Sequence, residues 1–215
     1  MKPALLTFDV DAEAPLLAAG PRPIIAGGTG LYLTALTEGL AVIPPVPPEI
    51  RAEGEALLAA EGLAAMVARL DARTAAGIDR ANPARVMRAW EVLRATGRGL
   101  AGWQAETGPP LLPPAQAQRL VLVPDRDRLA ERIARRFDAM LAAGAMEEVR
   151  ANAPFWQPRA QWARAIGARE LMAWLGGEMT RDEAREAAII ATRQYAKSQR
   201  SWFRNRMKDW QQVVI

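Results

Sequence analysis

The sequence contains no cysteine and no histidine. Disulfides, Cys/His zinc sites, thiol nucleophiles and imidazole acid–base chemistry are therefore excluded. Catalysis would have to use carboxylates, hydroxyls, arginines, backbone amides or a hard cation such as Mg2+. Aromatic residues are few at 6%, with seven Trp against four Phe and two Tyr. Lysine is nearly missing: Lys2, Lys197 and Lys208 are the three, and the other 25 of the 28 basic residues are arginine. No apolar run reaches the roughly 18 residues of a membrane span, and no secretory leader is recognisable, so the expectation is a soluble cytoplasmic protein.

Half of the 215 residues are apolar, enough to bury a core, and the formal charge is a modest +4. Arginine in place of lysine follows from a GC-rich genome as readily as from function. Forked guanidinium groups also suit phosphate recognition, so the informative question is where the arginines cluster.

Along the chain, an apolar patch at Ala4–Phe8 precedes an acidic stretch with Asp9, Asp11 and Glu13. Residues 21–26 (PRPIIA) read as a short buried strand, Gly27–Gly30 as a turn, and Leu31–Leu40 as a helix closing near Gly39. The proline-rich stretch IPPVPP at 43–48 marks a domain boundary. Helices are expected over 49–61 and 63–77. The next helix has Asn82 as N-cap, Pro83 in its first turn and Gly97 as C-cap, with Val86, Ala89, Trp90 and Leu93 inward. A Pro/Gln-rich loop over 105–118 leads to a second buried strand, Leu120–Val123. Asp127–Ala143 reads as an amphipathic helix burying Leu129, Ile133, Phe137, Met140 and Leu141, and two more helices follow over about 163–175 and 180–207. The expected architecture is a mostly helical α/β protein: a core of 1–46 and 116–215, interrupted by a helical insertion at 47–115.

Four features carry candidate chemistry. Gly27, Gly28 and Gly30, between strand and helix, would let backbone N–H groups approach a phosphate, with the Thr29 hydroxyl at the mouth. An ordinary strand-to-helix turn is the alternative. It is not a Walker A loop, because no lysine has that context. Arg128, Arg132, Arg135 and Arg136 share one helix face, which is either solvated or turned to a diphosphate or RNA phosphate. On the last helix Arg193, Lys197, Arg200 and Arg204 form a ridge, with Tyr195, Gln199 and Trp202 on an adjacent arc. Cations for phosphates beside rings for base stacking suit RNA, and a surface helix anchored by its aromatics is the alternative. The pairs Arg164/Arg169 and Arg85/Arg88 are weaker signals of the same kind.

In order, PIIAGGTGLYLTALTEGL, IPPVPPEIR, NPARVMRAWEVLRATGR, RIARRFDAMLAAG, RAIGARELMAWLGGE and ATRQYAKSQRSWFR resemble successive segments of the bacterial tRNA dimethylallyltransferase family, from about Pro21 to Trp210. The resemblance implies a P-loop-kinase-like α/β core with a helical insertion that grips the anticodon stem-loop. It implies transfer of a dimethylallyl group from dimethylallyl diphosphate, with Mg2+, to the exocyclic amine of the tRNA adenosine beside the anticodon, by a monomer. Thr29 then matches the family's contact to the target nucleotide, and Arg51 a tRNA contact. The stretches Ala84–Arg88, Arg164–Arg169 and Lys197–Arg204 match its tRNA-contacting regions, while Gly27, Gly28, Gly30, Arg132 and Arg136 are the phosphate-binding candidates. Two family motifs do not occur: the Gly-x-(Ser/Thr)-x-x-Gly-Lys-(Ser/Thr) loop that holds the diphosphate, and an Asp-Ser-x-Gln-x-Tyr segment carrying the general base. No metal ligand is identifiable. Ala84, Ala168 and Ser198 stand where the family usually has Gln, Tyr and Arg. The expectation is an incomplete copy of such an enzyme, whether by fragmentation, a misplaced start or degeneration. The alternative is a non-catalytic RNA-binding protein derived from that family.

Overall fold

The computed structural model describes residues 24–158, 160 and 162–215. The patch at Ala4–Phe8 and the acidic stretch after it lie outside the described residues. The chain forms two compact units: residues 31–117, and residues 118–215 together with the glycine turn up to Gly30.

In the first unit α1, Gly30–Glu38, ends at Gly39, whose φ of 85° lies where glycine alone is unstrained. Pro47 and Pro48 open α2, Pro48–Ala68, which breaks at Gly62 with φ 82° and ψ 176°. A short α3, Ala72–Gly77, starts at Asp71, whose carboxylate accepts from the Thr74 N–H at 2.9 Å. The Asn82 side chain accepts from the N–H groups of Ala84 and Arg85 and opens α4, Pro83–Thr96; Gly97 at φ 68° closes it. Leu100–Gln104 forms α5. The core is Met66, Val86, Met87 and Trp90, with Ile50, Leu57, Leu58, Leu63, Val67, Leu70 and Ile78 packed around them. Residues 31–46, expected with the core segments, pack in this helical unit.

The second unit holds a two-stranded parallel sheet of β1, Leu120–Val123, and β2, Gln211–Val214, in register from Leu120↔Gln211 to Val123↔Val214. Parallel pairing needs a crossover. Four helices supply it: α6 (Arg126–Ala142), α7 (Ala145–Asn152), α8 (Ala168–Leu175) and α9 (Arg181–Arg206). Phe137, Met146, Leu171, Ala188 and Ile189 form their common core, flanked by Ile133, Ala134, Leu141, Ala145, Val149 and Trp174. The result is mostly helical with a small parallel sheet, as an α/β reading requires.

Four local expectations are corrected. Residues 24–26 of the expected strand have no regular structure, and Ile24 is 95% exposed; residues 21–23 lie outside the described residues. A strand exists only through hydrogen bonds to a neighbour, and no described strand lies beside this segment. β1 forms where expected but is not buried, with Leu122 59% exposed. Of the apolar face assigned to α6, Phe137 is buried, whereas Met140 at 39% exposure faces outward. The helix expected from residue 163 begins at Ala168. A 3-10 turn occupies Trp162–Arg164, and Gly167 at φ 93° then reorients the chain before α8.

Candidate nucleic-acid interface

The long helix α9 organises the candidate site. Its start is set by a capping box: the Thr180 hydroxyl accepts from the Glu183 N–H, and the Glu183 carboxylate accepts from the Thr180 N–H at 2.7 Å. Ala184, Ala188 and Ile189 are its buried positions. With 3.6 residues per turn, the face opposite Ala184 and Ala188 carries Arg193, Lys197, Arg200 and Arg204. Arg193, Lys197 and Arg204 are exposed and Arg200 is half-buried.

The ridge forms one wall of an open cleft of about 430 Å3. Arg193, Gln194, Lys197 and Arg200 line it from α9; Arg126, Asp127, Leu129 and Ile133 line it from α6. Four cations face one carboxylate there, and none of the four takes part in an ion pair among the described residues. Such charge is comfortable only when solvated or when an anion is bound. Arg126 carries no signal in the helical-face reading, which starts at Arg128. It sits on the first turn of α6, where the Asp125 carboxylate accepts the N–H groups of Asp127 and Arg128 at 3.0 Å. That cap could have flagged the first turn as a fixed element.

Arg128, Arg132, Arg135 and Arg136 all remain exposed and do not line the cleft. The reason is helical phase: Leu129, Ile133 and Phe137 turn one face of α6 to the unit, and the four arginines occupy the other.

Gln199 and Trp202 do not share the ridge's surface. They fall well over 90° from it and continue the stripe of Ala184 and Ala188. The Gln199 Nε2 group donates to the Gly28 carbonyl at 2.8 Å. A Cβ on Gly28 would collide with that amide, and one on Gly30 would collide with the Trp202 indole. The glycines thus permit a close approach of protein to protein. Arg206 lies over the Trp202 ring, 5.7 Å from its centroid. Between the two glycines Thr29 is exposed, immediately ahead of α1, and its hydroxyl has no hydrogen-bond partner among the described residues.

Arg164 and Arg169 flank the Gly167 bend and are both exposed; Arg169 donates to the Pro158 carbonyl at 3.2 Å. In the helical unit, Arg51 donates to Glu91 at 2.8 Å and to Glu55 at 3.0 Å, and Arg88 lies 4.0 Å from Glu91. The Glu91 side chain is only 6% exposed, so these arginines neutralise a buried carboxylate. Arg85 is exposed and outside any ion pair among the described residues. The structure therefore groups Arg193, Lys197 and Arg200 in a cleft with Arg126, and Gln199 and Trp202 on the glycine turn. Arg51 and Arg88 form a separate cluster in the other unit.

Comparison with known proteins is consistent across three kinds. The IPP transferase family pattern matches residues 7–206. A tRNA dimethylallyltransferase of Cereibacter sphaeroides is 64% identical over 202 residues, covering 94% of this chain and 64% of the relative. One from Paracoccus denitrificans is 63% identical over 195 residues, covering 90% of this chain and 65% of the relative. The chain thus spans a little under two thirds of these curated relatives. Among solved structures, the full-length tRNA isopentenylpyrophosphate transferase of Bacillus halodurans superposes with a TM-score of 0.59 at 30% identity, covering 97% of this chain and 67% of the other. A eukaryotic dimethylallyltransferase acting on tRNA superposes with a TM-score of 0.67 at 20% identity, covering 95% and 54%, a likeness of fold. The chain belongs to the IPP transferase family.

Proposed function

We propose that the protein transfers a dimethylallyl group from dimethylallyl diphosphate to the exocyclic amine of the tRNA adenosine beside the anticodon. The high identity to tRNA dimethylallyltransferases over nearly the whole chain carries this reading. The cation-lined cleft and the presented Thr29 supply chemistry that fits it.

In that reaction the adenosine nitrogen bonds to C1 of the dimethylallyl group, the C1–O bond to diphosphate breaks, and the amine loses one proton. Reaching the amine requires the base to leave its stack. Negative charge grows on the departing diphosphate, where preorganised cations and N–H groups are most effective. Arg126, Arg193, Lys197 and Arg200 offer phosphate-seeking charge, and the exposed Thr29 hydroxyl suits the target nucleotide. Arg164, Arg169 and Arg204 extend the exposed cations of the same unit, and Arg51, Arg85 and Arg88 those of the helical unit. No residue of these 215 is assigned the family's general base. Nor is a Mg2+ ligand assigned: among the described residues no three metal-ligating side chains come together, and Asp127 is the one carboxylate lining the cleft. No step is routed through the ion. In this reading residues 1–46 and 116–215 belong to a P-loop-kinase-like core, residues 47–115 are an insertion that grips the stem-loop, and the protein works as a cytoplasmic monomer.

The test has two arms. Anticodon stem-loop RNA and inorganic diphosphate are titrated separately into the protein and then in competition, which tells an RNA-phosphate cleft from a diphosphate cleft. Transfer of labelled dimethylallyl diphosphate to the stem-loop, with Mg2+, is then followed for the 215 residues alone and fused behind the family's phosphate-loop segment. The expected result is RNA binding by both and label from the fusion, confined to the adenosine beside the anticodon. A fusion that binds the stem-loop and transfers nothing would favour a non-catalytic RNA-binding protein.

A further inference from the structure

We propose that Gln199 and Trp202 are positioning residues: they clamp the Gly27–Gly30 turn from the buried side of α9 and so fix the pose of Thr29. This deepens the proposed function, since it rests on Thr29 meeting the target adenosine.

Three observations converge on it. The Gln199 amide donates to the Gly28 carbonyl at 2.8 Å, an anchor between residues 171 apart in sequence. A Cβ at Gly30 would overlap the Trp202 indole, so α9 requires its absence there, and a Cβ at Gly28 would push the Gln199 amide off its hydrogen bond. Neither glycine has a positive φ, which leaves close approach as the reason for their identity. Finally, the Trp202 indole N–H is buried without an acceptor among the described residues. The ring is thus held by its packing against the turn and not by a hydrogen bond to a described residue.

The consequence falls on Thr29. Its neighbours on both sides are held by α9, while its own side chain is exposed and has no hydrogen-bond partner among the described residues. A hydroxyl whose backbone is fixed on both flanks has its direction set before any ligand arrives, which is what preorganised recognition needs. The cations on the opposite face of α9 can meanwhile hold phosphate. One helix thus divides two tasks between two faces: affinity for the backbone, and aim at one nucleotide.

The test uses two stem-loops, one with adenosine beside the anticodon and one abasic there, together with hydrogen exchange of the turn amides in the RNA-free protein. Gln199→Met keeps the length of the side chain and removes the donor. Exchange at residues 27–31 should rise roughly threefold to tenfold, the factor expected for one lost hydrogen bond. Abasic stem-loop affinity should stay within about twofold, while the preference for adenosine is lost. A second pair guards against a variant that merely unfolds: Gly30→Ala should lose the same preference, and Gly30→Ala with Trp202→Phe should recover it, since the smaller ring makes room. Equal losses of affinity for both stem-loops, with unchanged exchange, would make Gln199 a direct RNA contact and overturn the proposal. If the unaltered protein bound neither stem-loop, the functional reading itself would fail, whereas the exchange result would still report on the clamp.

Discussion

Arg51 and Thr29 show what single residues do here. The family resemblance points Arg51 at tRNA, and its guanidinium already bridges Glu55 and the buried Glu91. Both hydrogen bonds, Glu91's first, raise its pKa further above the ordinary arginine value, so it stays a fixed cation. Removing it leaves a buried carboxylate facing only Arg88 at 4.0 Å. Because Arg51 is itself 55% exposed, Arg51→Ala should cost about 1–2 kcal/mol, below the range for a fully buried pair. Denaturant unfolding measures this, and an unchanged midpoint would mean that Glu91 is adequately solvated without it. Thr29→Val makes the opposite prediction. Its hydroxyl is exposed and has no partner among the described residues, so stability should change by about 1 kcal/mol or less. Discrimination between adenosine and abasic stem-loops should fall in the same variant. Retained discrimination would return Thr29 to the ordinary turn residues.

At the scale of elements, the local signals were legible and the long-range ones were not. Asn82, Pro83 and Gly97 bound α4 because capping is chemistry within a few residues, and Gly39 closes α1 for the same reason. The glycine turn was legible as a turn. Its partner, however, stands 171 residues away on α9, and no local pattern records that contact. The phase of Ala184 and Ala188 along α9 does extend to Gln199 and Trp202, so their inward direction could have been read from helical spacing alone. β2 escaped because QQVV is only four residues long and its pairing partner β1 lies far back in the sequence, although Val213 and Val214 favour a strand. PRPIIA failed for the converse reason, a strand-like sequence without a neighbour.

The element-level electrostatics give a pH prediction. Arg185 bonds Asp138 through both carboxylate oxygens and ties α9 to α6. The hydrogen bond from Arg185, aided by its charge, holds the Asp138 pKa below the usual carboxylate value. The backbone N–H of Arg128 does the same for Asp125, and that of Thr180 for Glu183. A carboxylate with a lowered folded pKa contributes stability above its unfolded pKa, and loses it as pH falls through the folded value. The protein should therefore lose stability below about pH 4–5. Asp138→Asn should be less stable at neutral pH and flatter in that acid range. A parallel downward shift at every pH would contradict the ion-pair account. Thr180→Ala should separately cost about 1 kcal/mol through loss of the capping box.

For the whole molecule, the net charge of +4 says little about nucleic acid, whereas its distribution says much. Many arginines are spent on carboxylates: Arg51, Arg69, Arg94, Arg98, Arg119, Arg150 and Arg185 all pair. Arg126, Arg193, Lys197 and Arg200 are gathered at one cleft without such partners among the described residues, with Arg204 further along the ridge. Sequence alone supplied the ridge but not Arg126, because only the packing of α6 on α9 brings that residue to it. The claim that this surface exists to hold phosphate is tested most directly by the salt dependence of anticodon stem-loop binding. The measurement compares the unaltered protein with the Arg193→Ala, Lys197→Ala, Arg200→Ala, Arg204→Ala quadruple variant. Each lost phosphate contact should reduce the log–log salt slope by about 0.7–0.9, so the variant should bind more weakly and with a slope shallower by about 3 units. Equal affinity and equal slope in the two proteins would contradict the account and leave the ridge a solvated face.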